Sequence, residues 1–393
     1  MSRPLTVMLV TAEASSGDAL GAALARALRK RLGDNSTRFV GVGGQAMARE
    51  GVDSPFDVTE LSIVGMVEGL MAYPKVIRRA DQTAALAARE KPDIAVLIDS
   101  WGFTLRVAQR LRKRNRGLPL VKYVGPQVWA TRPGRARTLA ASVDHLLAIN
   151  TFDAPYFEAE GLPTTFVGAS TLALDLSGAD PQRLRGAVGA SADEPILLAL
   201  LGSRPAEIER LSRPFEDAVG RLVTARPGLR VIVPAAATVA DLVKAKVGAW
   251  KAPARIVEGE QLKYDAMKAA TVALACSGTV TSELAMAGCP MVVAYRLSEI
   301  GYWVLRAVYR QRHITLFNIA AGETIAPEFI QHDCTGAKLA KAVGERLDDP
   351  ALRARQIAAQ TAILEKMGRG GPDPAEVAAD VVVKVLKARG VLA

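Results

Sequence analysis

Short runs of uninterrupted apolar, often β-branched residues alternate along the chain with longer segments in which Ala, Leu and Arg recur at helical spacing. The first series of runs predicts strands at Leu5–Thr11, Phe39–Val42, Ile94–Ile98, Leu120–Val124, His145–Ile149 and Thr165–Val167. A second series follows at Ile196–Leu200, Arg230–Val233, Arg255–Val257, Thr271–Ala275 and Met291–Ala294. Strands that are apolar at every position and separated by helices predict parallel sheets covered on both faces. Two such series predict an α/β chain of two doubly wound domains facing a central cleft, where ligands gather at the carboxyl ends of the strands. The polar, turn-rich stretch Ala169–Pro195 marks the boundary. The expected division is 1–175, 176–350 and a helical remainder, 351–393, that packs back on the first domain or on a partner subunit. Asp373 before Pro374 supplies an N-cap and first-turn proline for a last helix, Ala375–Lys387.

Composition narrows the function classes. With 393 residues, half of them apolar, the chain is long enough for two or three domains with substantial cores. A formal charge of +10 suits phosphates, anionic lipid or nucleic acid. Aromatic residues make up only 5%, too few for a surface built on base stacking, so nucleic acid is disfavoured. Three scattered cysteines (Cys276, Cys289, Cys334) and three scattered histidines (His145, His313, His332) form neither a disulfide framework nor a metal motif. The first residues run straight into a strand pattern without a signal peptide, which predicts a cytosolic protein. No stretch of about 18 apolar residues occurs to span a membrane.

Candidate chemistry sits where strands end. The first strand leads into Glu13-Ala14-Ser15-Ser16-Gly17-Asp18, small residues before a helix start that suit either an anion or a plain capped turn. Gly41–Ala46 fits G-x-G-x-x-A but follows the second strand, which argues against a dinucleotide site. Asp99 ends the apolar strand Ile94–Ile98 and is placed either as a general base or as a helix cap. Gly202-Ser203-Arg204 precedes Pro205 and Glu207; an arginine at a helix start opposes the helix dipole unless an anion shares the site. Ser277-Gly278-Thr279 leads to Glu283 one turn into the next helix, as a ribose ligand or a first-turn acid. Leu61–Val76 and Ile300–His313 mix apolar and aromatic residues with arginines, as in helices lying on anionic lipid or in buried helices with snorkelling cations.

Taken in order, the motifs A-E-A-S-S-G-D (12–18), F-V-G-V-G-G (39–44), I-D (98–99), Y-V-G-P-Q-V-W-A (123–130), G-S-R-P-A-E (202–207), C-S-G-T-V-T-S-E (276–283), P-M-V-V-A-Y-R (290–296) and F-N-I (317–319) resemble the lipid-A-disaccharide synthase family over nearly the whole chain. The resemblance implies a GT-B fold of two Rossmann-like domains, with the acceptor on the N-terminal one and the UDP-sugar on the C-terminal one. It implies inverting, metal-independent and cofactor-free transfer from UDP-2,3-diacylglucosamine to 2,3-diacylglucosamine 1-phosphate (lipid X), releasing UDP. By position, Asp99 is implied as the base acting on the acceptor 6-hydroxyl, Arg204 as the diphosphate ligand and Glu283 as the ribose ligand. Gly202, Ser203, Gly278, Thr279 and Asn318 would complete the UDP-sugar site, and Glu13, Ser16, Gly17 and Asp18 the loop facing the cleft. The implied setting is the cytosolic leaflet of the inner membrane, with a homodimer left open. Rival readings are another GT-B enzyme, such as a UDP-N-acetylglucosamine 2-epimerase, or a weakly active membrane-associated binding paralogue. The chain departs from the family pattern at the additional Ser15, at Thr131, at Ala169-Ser170 and at Leu201, and the altered loops are expected to slow transfer.

Overall fold

A computed structural model describes residues 3–12, 16–61 and 66–392. The chain forms two compact units, Met1–Ser170 with Gly371–Ala393, and Thr171–Gly370.

The first unit is built on β1 (Leu5–Val10), β2 (Thr37–Val42), β3 (Ile94–Ile98), β4 (Leu120–Tyr123), β5 (His145–Ala148) and β6 (Thr164–Phe166). They form one parallel sheet in the order β2-β1-β3-β4-β5-β6. Successive side chains of a strand point to opposite faces, and here both faces are dry. Met8, Val10, Ala95 and Leu97 enter one core with Val107 and Leu111 of the helix Trp101–Arg114. Val7, Leu9, Val96 and Ile98 enter the other with Leu24 and Leu28 of the helix Ser16–Leu32. The helices that follow β1 and β3 therefore lie on opposite faces. Between these two strands the order reverses, and it is at the carboxyl ends beside such a reversal that open α/β sheets bind ligands.

The second unit repeats the plan with β7 (Ile196–Leu200), β8 (Arg230–Ala235), β9 (Arg255–Glu258), β10 (Val272–Cys276), β11 (Met291–Tyr295) and β12 (Glu328–Ile330). Its parallel order is β12-β11-β10-β7-β8-β9, so the reversal falls between β7 and β10. β12 is absent from the sequence prediction because three half-buried residues at a sheet edge carry no periodic signal.

The ends of the chain differ from the expected division. The helix Pro350–Lys366 belongs to the second unit, where Gln356 and Gln360 donate their side-chain amides to the carbonyls of Met291 (2.8 Å) and Cys289 (3.1 Å). The helix Pro374–Ala388 belongs to the first, because Ala378, Val382 and Leu386 complete the core containing Leu24 and Leu28. The Asp373 carboxylate caps it by accepting from the Ala375 N–H at 2.9 Å.

Candidate functional site

The reversal in the second sheet carries a pocket of about 470 Å³. Its floor is the turn after β7. Gly202 has φ +118°, and a Cβ there would sit 2.6 Å from Glu207 Oε2, so this position accepts glycine alone without displacement. Glu207 is buried, and its Oε2 accepts from the N–H groups of Ser203 (3.1 Å) and Arg204 (3.3 Å), while Oε1 accepts from the Arg204 guanidinium (3.0 Å). The anion that the sequence demands beside Arg204 is thus first of all Glu207 of the same chain. Arg204 remains 72% exposed at the side chain and lines the pocket.

The opposite wall is the start of the helix Thr279–Met286, where Gly278, Thr279 and Val280 line the pocket. A helix start leaves its first N–H groups without helical acceptors, and the helix dipole adds partial positive charge there. One turn in, Glu283 pairs with Lys263 Nζ at 2.9 Å, and both face the pocket. The site therefore combines hydrogen-bond donors for an anion on two sides with one carboxylate, Glu283, among its lining residues. Cys276 also lines it, but burial raises its thiol well above the usual range, so it stays protonated.

Asn318 does not reach this pocket. Its carboxamide is fully buried, donating to Ala326 O at 2.8 Å and accepting from the N–H groups of Ile325 (2.9 Å) and Ala326 (3.1 Å). Its work is to pin the segment before β12.

In the first unit, Asp99 stands at the carboxyl end of β3, at the reversal point. Both Asp99 and Ser100 are left-handed, each with φ 46°. The Asp99 N–H donates to Tyr123 O at 2.8 Å, its Oδ1 accepts from the Ser100 N–H at 2.8 Å, and Ser100 Oγ accepts from the Ala12 N–H at 3.2 Å. Asp99 is not the cap of the next helix: Ser100 O takes the first helical bonds, from Phe103 and Thr104. Among the described residues its Oδ2 carries no hydrogen bond.

The loop after β1 is divided in role. Glu13 and Ser15 lie outside the described residues. Ser16 and Gly17 open the helix Ser16–Leu32. Asp18, expected to face the ligand, is instead buried and accepts from the N–H groups of Gly44 (2.8 Å), Ala46 (2.7 Å) and Met47 (3.0 Å). It satisfies N–H groups at the start of the helix Gln45–Arg49, so two donors of the G-x-G-x-x-A stretch, those of Gly44 and Ala46, are already taken. Among the described residues no cluster of His, Cys, Asp and Glu is placed to hold a metal ion.

Sequence reasoning passed over Lys263 and Lys122. Lys263 carries no signal beyond an amphipathic helix. Lys122 does: it is a lone cation within the apolar run Leu120–Val124.

The comparisons with known proteins agree along the whole length. The family model described as lipid-A-disaccharide synthetase matches residues 7–382. A lipid-A-disaccharide synthase of Rhodospirillum centenum is 40% identical over 387 residues, covering 98% of this chain and 96% of the relative. That of Nitrobacter winogradskyi is 42% identical over 388 residues, covering 98% and 97%. The chain belongs to the lipid-A-disaccharide synthase family. Among solved structures, Staphylococcus aureus MnaA with UDP superimposes with a TM-score of 0.61 at 14% identity, covering 98% of this chain and 96% of that one. Acinetobacter baumannii MurG gives 0.58 at 16% identity, covering 97% and 100%. These likenesses establish the fold: two doubly wound α/β domains of the GT-B type.

Proposed function

We propose that this lipid-A-disaccharide synthase family member transfers 2,3-diacylglucosamine from UDP-2,3-diacylglucosamine to the 6-hydroxyl of 2,3-diacylglucosamine 1-phosphate, giving lipid A disaccharide 1-phosphate and UDP. The whole-length family match carries the reading, and the geometry supplies chemistry that fits it. Asp99 takes the proton of the acceptor hydroxyl as its oxygen attacks the anomeric carbon; a single displacement inverts that carbon and needs one base only. At the left-handed turn that ends β3 its Oδ1 accepts from the Ser100 N–H, and the other oxygen is the one assigned to that proton.

The leaving UDP sits in the pocket between β7 and β10. Arg204 and the first N–H groups of the helix Thr279–Met286 neutralise the diphosphate, and Glu283 accepts from the ribose hydroxyls. Gly202, Ser203, Gly278 and Thr279 let the backbone approach the donor, and Ser16 and Gly17 play that part beside the acceptor. Electrostatics of this kind serve the leaving group without a metal or a cofactor.

The acylated substrates place the enzyme on the cytosolic leaflet of the inner membrane. The helix Glu299–Val308 supports this: it has no buried residue, and Ile300, Trp303 and Val304 are 81%, 61% and 63% exposed. Arg306, Arg310 and Arg312 flank that face with the charge an anionic surface attracts. The helix Met66–Glu90 covers much of the other candidate stretch, Leu61–Val76, of which residues 62–65 lie outside the described residues. Among the described residues no helix is long and apolar enough to cross a membrane. A homodimer covering the Trp303 face is the competing occupant, and sedimentation without lipid distinguishes it.

Incubating the purified chain with both lipid substrates and following UDP release tests the reaction. Release that depends on the acceptor is expected. No UDP above background would leave a binding paralogue in its place.

A further inference from the structure

Two successive left-handed residues with side chains, Asp99 and Ser100, are an unusual foundation for a catalytic carboxylate. Such conformations are sparsely populated and persist only where the surroundings over-determine them. Bonds from the Asp99 N–H to Tyr123 O and from the Ala12 N–H to Ser100 Oγ supply part of that constraint. The Asp99 carbonyl is the remaining point. It lies outside the helical ladder that begins at Ser100 O, and a buried carbonyl needs a partner. It has two: Thr104 Oγ1 donates to it at 2.7 Å, and the ammonium of Lys122 donates to it and, at 2.9 Å, to Thr104 Oγ1.

We propose that Lys122 is a positioning residue for the transfer: through the Asp99 carbonyl its buried ammonium holds the left-handed turn and so sets the direction of the Asp99 carboxylate. The proposal rests on Asp99 being the general base. Packing alone does not call for a lysine in β4, where every neighbour in the strand is apolar or aromatic and fully enclosed. A methionine would occupy the same space without a desolvated charge. Burial pushes the Lys122 ammonium down to about 7 even against the attraction of Asp99, so enclosing this group weakens its hold on the proton and costs stability wherever it is charged. What the fold obtains in return is a fixed carbonyl directly behind the carboxylate. Lys122 is itself 2% exposed and acts through Asp99 rather than on a substrate.

The test compares Lys122→Met, Asp99→Asn and the double variant in the full chain, measuring kcat, acceptor KM, UDP affinity and Tm. Lys122→Met is expected to lower kcat roughly 10–100-fold, since a misplacement of about 1 Å reaches that size. KM and UDP affinity should stay within about twofold, because the lost term belongs to the transition state. Its Tm should be unchanged or higher. The double variant should be no slower than Asp99→Asn, because both changes act through one group. A Lys122→Met kcat within about twofold of the parent, beside an inactive Asp99→Asn, would overturn this role alone. Losses that multiply in the double variant would do the same. Full activity in Asp99→Asn would overturn this role and the assignment of the base together. Should Lys122→Met fail to fold, Thr104→Val removes the hydroxyl that bridges Lys122 to the carbonyl, and the same criteria apply.

Discussion

Replacing Asp99 by asparagine separates chemistry from conformation with unusual clarity. Asparagine is among the few residues that tolerate the left-handed region, where Asp99 stands at φ 46°. Its side-chain carbonyl can still accept from the Ser100 N–H, now met by Asp99 Oδ1 at 2.8 Å. The turn, the bond from the Asp99 N–H to Tyr123 O and the fold should therefore survive. Only the capacity to take a proton is lost, typically 10²–10⁴-fold in rate, or about 2.7–5.5 kcal/mol of activation free energy. Asp99→Ala removes the base and also the tolerance of the turn, adding about 1–2 kcal/mol of folding cost. In a unit of this size each kcal/mol lowers Tm by about 2–4 °C. The assay is UDP release under saturating substrates, with UDP affinity by calorimetry and Tm measured on the same samples. Both variants should be nearly inactive, bind UDP as the parent does, and differ in Tm. Asp99→Asn retaining more than about half the parental rate would refute the general-base reasoning.

Three further outcomes follow from named contacts. If Glu283 is the ribose ligand proposed above, Glu283→Ala should weaken UDP while leaving pyrophosphate binding equal or tighter, because it removes that acceptor and frees Lys263 from its 2.9 Å pair; parallel calorimetric titrations decide. Lys122 holds its proton less firmly in the fold than in the unfolded chain, so unfolding takes up a proton between about 7 and the ordinary lysine value of 10.5. Stability should therefore rise with pH through that window, by up to about 1.4 kcal/mol per pH unit, and urea titrations of Lys122→Met should lose that rise. Changing Arg306, Arg310 and Arg312 together to Glu should weaken binding to anionic vesicles, at about 1 kcal/mol per cation removed, while activity on short-chain, detergent-dispersed substrates changes little.

Sequence alone determined the scaffold and the strand ends at which the candidate residues stand. Continuous apolar runs such as Ile94–Ile98 and Ile196–Leu200 announce parallel strands covered on both faces, and their carboxyl ends locate Asp99, Arg204 and the loop before Glu283. Asp373 and Pro374 mark a helix start through chemistry confined to a few neighbouring residues. The tertiary structure decided which donors and acceptors meet. Nothing near Asp18 in the chain shows that its carboxylate serves the amides of Gly44, Ala46 and Met47. Leu201, read as a departure in a loop, is enclosed in the second core, and Asn318 spends its amide on the segment before β12. The last helix completes the first unit although the preceding helix stays with the second, because the uncovered apolar surface beside Leu24 and Leu28 lies there. A sequence lists every polar group with its local neighbours. A buried group must be satisfied by whatever the fold brings within about 3 Å; for Asp18 and Lys122 those partners come from segments remote in the chain, and for Asn318 from the loop beyond its own helix.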